Sequence, residues 1–305
     1  MQRPMSLAVD AHQHFWSLAR GDYPWLTPDL GSLYRDYLPA DLEMPLKASG
    51  IGRAILIQAA PTEAETAFLL QLADQYPFVA GVVGWTDLAA PDAAKTIERA
   101  AMNPKLVGFR PMLQEMDDAA WILSANLRPA LRAMAKAGLC FDALIRPQQI
   151  KVIETLLLHH HPDLKLVVDH AANPPIGEDL SSWATDIRRL AANTRAYCKW
   201  SGLLTIAPGR VNRGHLHRVF DVLIEAFGPE RLMWGSDWPV LNLASSYDDW
   251  LFESTILFAG LTVAQQIRIT SQTAADFYLA SRSDAGKKRA GVASHFTQAM
   301  LHSSY

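Results

Sequence analysis

At 305 residues with half of its positions hydrophobic, the chain can bury a large core, a size that suits two ordinary domains or one α/β barrel. A net charge of -3 and an isoelectric point near 6.4 give no global basic excess and argue against a nucleic-acid or polyanion partner. The two cysteines, Cys140 and Cys198, sit in apolar runs and exclude a disulfide framework; with no leader-like segment ahead of Leu7 and no apolar stretch of membrane-spanning length, the expectation is a soluble, cytoplasmic protein with no membrane partner.

The first strand is predicted over residues 7–12, inside the run Val9-Asp10-Ala11-His12-Gln13-His14-Phe15-Trp16, and an aromatic loop with Tyr23-Pro24-Trp25-Leu26 follows. Further β-rich runs fall at 53–58, 78–85, 106–110, 139–144, 164–170, 196–201 and 231–237. Helical patterns lie between them. One covers 62–76, where Thr62 and Glu65 have capping-box spacing and Phe68, Leu69 and Leu72 form a stripe. Others cover 126–137 with Gly138 as a stop, 148–161, and 214–227 ahead of Gly228-Pro229. Helices at 246–259 and 262–278 close the series. Strand followed by helix, eight times over and with no linker, predicts a single (β/α)8 barrel spanning residues 1–280. Residues 281–305 become polar and lose periodicity, so they are expected to form a tail outside the core, with Lys287, Lys288 and Arg289 as solvated charge.

In a parallel barrel all strands end on one edge, and that edge carries the site. His12 and His14, His170 and Asp237 all fall at predicted strand ends. A His-x-His pair alone is weak evidence, but four such groups converging on one edge need partners or a function if buried. His159-His160-His161 is set aside as a metal tract, because successive helical residues point about 100° apart; cations near a helix C-terminus explain it. His215 and His217, two apart on a helix, are read as structural or surface residues.

The ordered set Asp10-Ala11-His12-Gln13-His14, Val107-Gly108-Phe109-Arg110, Val168-Asp169-His170 with Pro174, Lys199-Trp200-Ser201-Gly202-Leu203 and Trp234-Gly235-Ser236-Asp237-Trp238-Pro239 resembles the lactonase branch of the amidohydrolase superfamily over roughly residues 7–280. The aromatic first loop looks most like the sugar lactonases that act on L-fuconolactone and related aldonolactones. The resemblance implies a small-molecule sugar lactone as partner. Two-metal relatives place a bridging lysine or glutamate on the fourth strand and a histidine on the fifth. Here those strands end in Gly108-Phe109-Arg110 and Cys140-Phe141-Asp142, so the bridge has no ligands. What remains is hydrolysis with no required metal, or one Zn²⁺ or other divalent ion held by His12, His14, His170 and Asp237.

A lactone is an activated acyl group, and a placed base with oxyanion donors can open it. Asp237 is assigned as general base, with His170, His12 and His14 donating to the carbonyl oxygen. Strand-end polar residues Gln58, Arg110, Asp142 and Lys199 are expected to bind substrate hydroxyls, Asp142 and Lys199 having a supporting ion pair as the alternative. Trp25 or Trp85 is expected to offer a face to the sugar ring, where core packing is the alternative. Competing readings are a lactonase for a dicarboxylated aromatic-degradation product such as pyrone dicarboxylate or a muconolactone, clamped by Arg110 and Arg146, and a zinc-dependent decarboxylase of the same superfamily. A catalytically silent binding barrel is the third class, disfavoured by the intact His12, His14, His170 and Asp237 set. Oligomeric state is not legible.

Overall fold

The strands β1 (Ala8–Gln13), β2 (Ile51–Ile57), β3 (Val79–Gly84), β4 (Leu106–Phe109), β5 (Cys140–Ala143), β6 (Lys165–Val168), β7 (Tyr197–Trp200) and β8 (Leu232–Trp234) pair in parallel, each with the next in sequence. These relations come from a computed structural model that describes residues 8–206, 209 and 211–280. Leu7 and the expected tail at 281–305 lie outside the described residues. All eight expected strands are present; β1 is shifted by one residue, β2 begins two residues earlier, and β3 to β8 are shorter than expected.

The ring closes between β8 and β1 just past the last regular pair. Asp237 N donates to His12 O at 2.7 Å and His14 N donates to Trp238 O at 2.8 Å, while Ser236 N donates to the Asp10 carboxylate at 2.9 Å. Gly235 permits this approach, since a Cβ there would lie 2.8 Å from His12 Cβ.

Helices α1 (Pro39–Ala48), α2 (Glu63–Gln75), α3 (Ala93–Ala100), α4 (Arg128–Ala137), α5 (Ile150–Thr155), α6 (Ser181–Asn193), α7 (Arg213–Phe227), α8 (Tyr247–Phe258) and α9 (Val263–Ile267) occupy the crossovers and the C-terminal end. Thr62 caps α2 by accepting from Glu65 N at 3.0 Å, and Gly138 ends α4 at a φ of 69°. The expected helices at 148–161 and 262–278 are not regular. Each begins as α-helix and widens into π-type turns, Leu156–His160 in one, Arg268–Gln272 and Ala275–Leu279 in the other. His161 is also not a cation at a helix end. It is buried, and burial pushes its imidazole below the ordinary range. Among the described residues no helix is long and apolar enough to cross a membrane.

The barrel interior has two storeys. The lower one is apolar, with Val9, Ala11, Ile55, Ile57, Val83, Val107, Cys140, Val167 and Met233 packed against Phe277 and Tyr278 from the C-terminal turns. Above it the same inward phase brings Asp142 two residues after Cys140, Asp169 two after Val167, and Lys199 two after Tyr197. All three are fully buried.

Candidate active site

A bulge in β1 decides which way its histidines face. Strict alternation from Val9 and Ala11 would turn Gln13 inward and His12 and His14 outward. The register runs Asp10 to Ala54 and then Gln13 to Leu56, three steps on β1 against two on β2, so one extra residue shifts the phase and aims both imidazoles into the barrel. At the end of β6 the chain makes a different adjustment. His170, Ala171, Ala172 and Asn173 all have left-handed φ, between 50° and 60°. L-residues resist this by about 1–2 kcal/mol each, and neighbours hold the turn in place. Trp183 Nε1 donates to Ala171 O at 2.8 Å, and His170 Nδ1 lies 2.9 Å from Ser201 Oγ. Gly202 packs under the ring, where a Cβ would come within 2.4 Å of His170 Nδ1. Asp237, at φ 60°, is the remaining non-glycine residue with this strain among those described.

These devices gather three imidazoles around one carboxylate. Nε2 of His14, His12 and His170 lie 3.3, 3.6 and 3.8 Å from Asp237 Oδ1. His14 Nδ1 sits 2.9 Å from Ile57 O, and because a carbonyl only accepts, that nitrogen carries the proton. A neutral His14 therefore aims an Nε2 lone pair at a carboxylate, an arrangement that calls for a proton or a cation between them. Burial pushes His14 below the ordinary imidazole range, and burial with the nearby Lys199 charge pushes His12 well below it. Burial acts to raise the Asp237 carboxyl, but His170 charge and the His14 hydrogen bond outweigh it and hold the group well below the usual carboxylate range.

Lys199 supports this layer from beneath. Its ammonium reaches Asp142 Oδ2 at 2.6 Å, Asp169 Oδ1 at 2.9 Å and His12 Nδ1 at 3.1 Å, one proton for each. The two carboxylates share it unequally. Burial pushes Asp142 up to about 6, and the Tyr278 hydroxyl donates to it at 2.7 Å. Burial opposes the Asp169 charge too, but Lys199, His12 and Arg110 together hold it well below the ordinary range. His12 Nδ1 is also 3.4 Å from Asp169 Oδ1. The ring can thus accept from Lys199, leaving Nε2–H toward Asp237, or donate to Asp169, leaving an Nε2 lone pair.

The second arrangement is what a metal ligand needs, with a carboxylate orienting the ring from behind. His12, His170 and Asp237 each place a donor atom within 4.8 Å of the others. Two nitrogens and an oxygen, with the His14 lone pair alongside, fit a single zinc-type ion with an open position. A lysine lies beneath the centre, on β7, and it is held in an ion pair.

Above the cluster opens a cavity of about 350 Å³ lined by His14, His170, Asp237, Arg110, Trp25 and Met112, with Gln114, Asn173 and Thr205 also on its wall. Trp25, 38% exposed, is fixed by Nε1 donating to Ala59 O at 2.7 Å and by an edge contact with Trp16. Arg110 reaches the cavity while its guanidinium bonds Gln58 O and lies 3.4 Å from His12 Nε2.

Several expected substrate contacts fall elsewhere. Gln58, Asp142 and Lys199 are fully buried below the cavity; Gln58 grips the Arg110 backbone carbonyl at 3.0 Å, and the other two form the ion pair. His12 is likewise fully buried and touches Asp237 rather than the open cavity. Trp85 is half-buried off the lining, its backbone held by the Thr66 hydroxyl. Arg146 is exposed and does not line the cavity. Asp169 is the group the sequence reading passes over, although alternation from Val167 already points it inward.

An amidohydrolase family model matches residues 9–279. The chain belongs to the amidohydrolase family. It is a hydrolase. It is 41% identical over 247 residues to an L-fucono-1,5-lactonase of Burkholderia ambifaria, covering 81% of this chain and 85% of that protein, and 39% identical over 258 residues to an L-fucono-1,5-lactonase of Burkholderia multivorans, covering 80% and 86%. A crystal structure of a Burkholderia multivorans amidohydrolase with bound zinc superposes with a TM-score of 0.84 at 36% identity, covering 90% of this chain and all of the other.

Proposed function

We propose that this amidohydrolase opens a sugar lactone, L-fucono-1,5-lactone or a related aldonolactone, to the aldonic acid by attack of water on the ring carbonyl. The observation that carries the reading is the floor of the cavity, where His14, His170 and Asp237 meet below a wall formed by Trp25. The volume suits one sugar-sized ring. Among the described residues Arg110 is the one guanidinium on the lining, which disfavours a substrate needing two carboxylate clamps. The names of the relatives point the same way.

Asp237 takes the proton of the attacking water and returns it to the ring oxygen as the tetrahedral intermediate collapses and the ring C–O bond breaks. A carboxylate held so low is a weak base on its own, and His14 answers this, since its neutral Nε2 lies 3.3 Å from Asp237 Oδ1 and can share the proton. Arg110 and His170, both on the lining, supply the donors for the carbonyl oxygen as it gains charge. His12 lies deeper and keeps Asp237 in place. A divalent ion held by His12, His170 and Asp237, with His14 beside them, would polarise the carbonyl and acidify a bound water. The test is acid release from a panel of L-fucono-, L-galactono- and D-arabinonolactone against pyrone dicarboxylate, each with and without chelator. Acid from the sugar lactones is expected; turnover confined to the dicarboxylated lactone would refute the substrate assignment.

A further inference from the structure

With Gln58, Asp142 and Lys199 sealed below the floor, the ring hydroxyls of a sugar must be read by other groups. Two primary amides stand on the cavity wall, Gln114 and Asn173, and neither is part of the water-activating cluster. They come from different strand ends and are locked to each other. Asn173 Nδ2 donates to Gln114 Oε1 at 3.3 Å and to Ile145 O at 3.1 Å, and the Gln114 backbone N donates to Leu144 O at 3.1 Å.

Those bonds fix which way each amide faces. Asn173 has committed its NH₂ and Gln114 its carbonyl oxygen. That leaves Asn173 Oδ1 as an acceptor and Gln114 Nε2 as a donor, with no bond to either among the described residues. Both side chains are half-buried, so these atoms meet whatever fills the cavity. One donor beside one acceptor is the complement of a vicinal diol, in which each hydroxyl can give or take a hydrogen bond. The strained backbone supports the same purpose. Asn173 is the last of the four left-handed residues that begin with His170, so one turn sets both the reacting imidazole and this amide. Glu115 also reaches the lining but is exposed, with no side-chain partner among the described residues.

We infer that Asn173 and Gln114 form the hydroxyl-reading pair of the site, selecting polyhydroxylated lactone rings over bare ones. This rests on the sugar-lactone reading above. The test compares kcat/KM for L-fucono-1,5-lactone with that for δ-valerolactone, the same ring without hydroxyls, in the wild type, in Asn173→Gly, which tolerates the left-handed φ, and in Gln114→Met, which keeps side-chain length. Wild-type protein is expected to favour the sugar lactone. Each variant should lower the ratio of the two kcat/KM values by about tenfold, the worth of one neutral hydrogen bond near the top of its usual range. An unchanged ratio, with both substrates losing equally, would mean a structural role and overturn the inference while leaving the sugar-lactone reading intact. A wild type that opens δ-valerolactone as well as it opens the sugar lactone would overturn both the pair and the sugar, leaving lactone hydrolysis. A wild type that opens no lactone would remove the reading and the inference together.

Discussion

The lower storey of the barrel interior and the upper one are built on one set of strands, in a single inward phase except at the β1 bulge, yet they fill the space by opposite means. Below, Ile55, Ile57, Val83 and Met233 close on Phe277, and apolar area removed from water is the source of cohesion. Above, Asp142, Asp169, Lys199 and His12 occupy equally dry space as charges and dipoles, and cohesion depends on each finding its counterpart. The lower storey can lose a methyl group and settle. The upper storey cannot lose one charge without stranding another. The contrast locates stability in both layers but chemistry in one.

Lys199→Met breaks the contrast at its most sensitive point, since it leaves Asp142 and Asp169 buried without their shared cation. A loss of about 3–5 kcal/mol in urea unfolding is expected, together with lost activity in the fraction that folds; a loss under about 1 kcal/mol would show that the charges relax to water. Ile55→Ala is the matched test below, expected to cost about 2–5 kcal/mol by cavity formation while kcat per folded molecule stays near that of the parent. A large fall in kcat would erase the division of labour. Asp237→Asn should cut kcat by at least about 10²-fold, about 2.7 kcal/mol in the barrier, with an unaltered circular dichroism spectrum. Metal content and substrate binding must be measured beside it, because a lost metal ligand would mimic a lost base.

The contrast also has a pH signature. Asp169 and Asp237, each facing several cations or imidazoles at once, are held low, whereas Glu65, buried outside the barrel, is pushed up to about 7 chiefly by burial. Its partners are mostly neutral, the Tyr23 hydroxyl at 2.6 Å and the Ala59 amide at 3.1 Å, with Arg20 further off at 3.6 Å. A carboxyl whose folded pKa exceeds its unfolded value near 4.5 binds its proton more tightly when folded. Its contribution is therefore full below pH 4.5 and is lost as pH rises through 7, by up to roughly 3 kcal/mol. Unfolding measured from pH 5 to 8 should show this decline in the parent and a flatter profile in Glu65→Gln; identical slopes would assign the titration elsewhere. The smallest effect expected is from Tyr278→Phe, which removes one donor to Asp142 and should cost about 1 kcal/mol, read as a shift in urea midpoint.

Strand number, strand order and the Thr62 and Gly138 caps were legible in the sequence because each is written locally, as an apolar run, a capping hydroxyl or a glycine. That His14, His170 and Asp237 come together past the strand ends was legible for the same reason, since each follows a strand. What was not legible is set by contacts distant in sequence. The β1 bulge that turns His12 and His14 inward depends on the register with β2. The left-handed run from His170 to Asn173 is held by Trp183, Ser201 and Ile145, and nothing in its own composition announces it. Strand-end position also could not tell a side chain on the cavity wall from one buried beside it, which is why Gln58, Asp142 and Lys199, the last two with an ion pair as alternative, were grouped with Arg110, and why Gln114 and Asn173, which line the cavity, were not named.

The seam between β1 and β8 joins segments more than two hundred residues apart, and two of the residues hydrogen-bonded across it, His12 and Asp237, belong to the buried His-Asp cluster. The carboxylate of the cluster comes from the last strand, and the bond that seats it beside the histidines is one of the bonds that shut the ring. Opening the seam would part His12 from Asp237 while the other seven strand pairs were still joined.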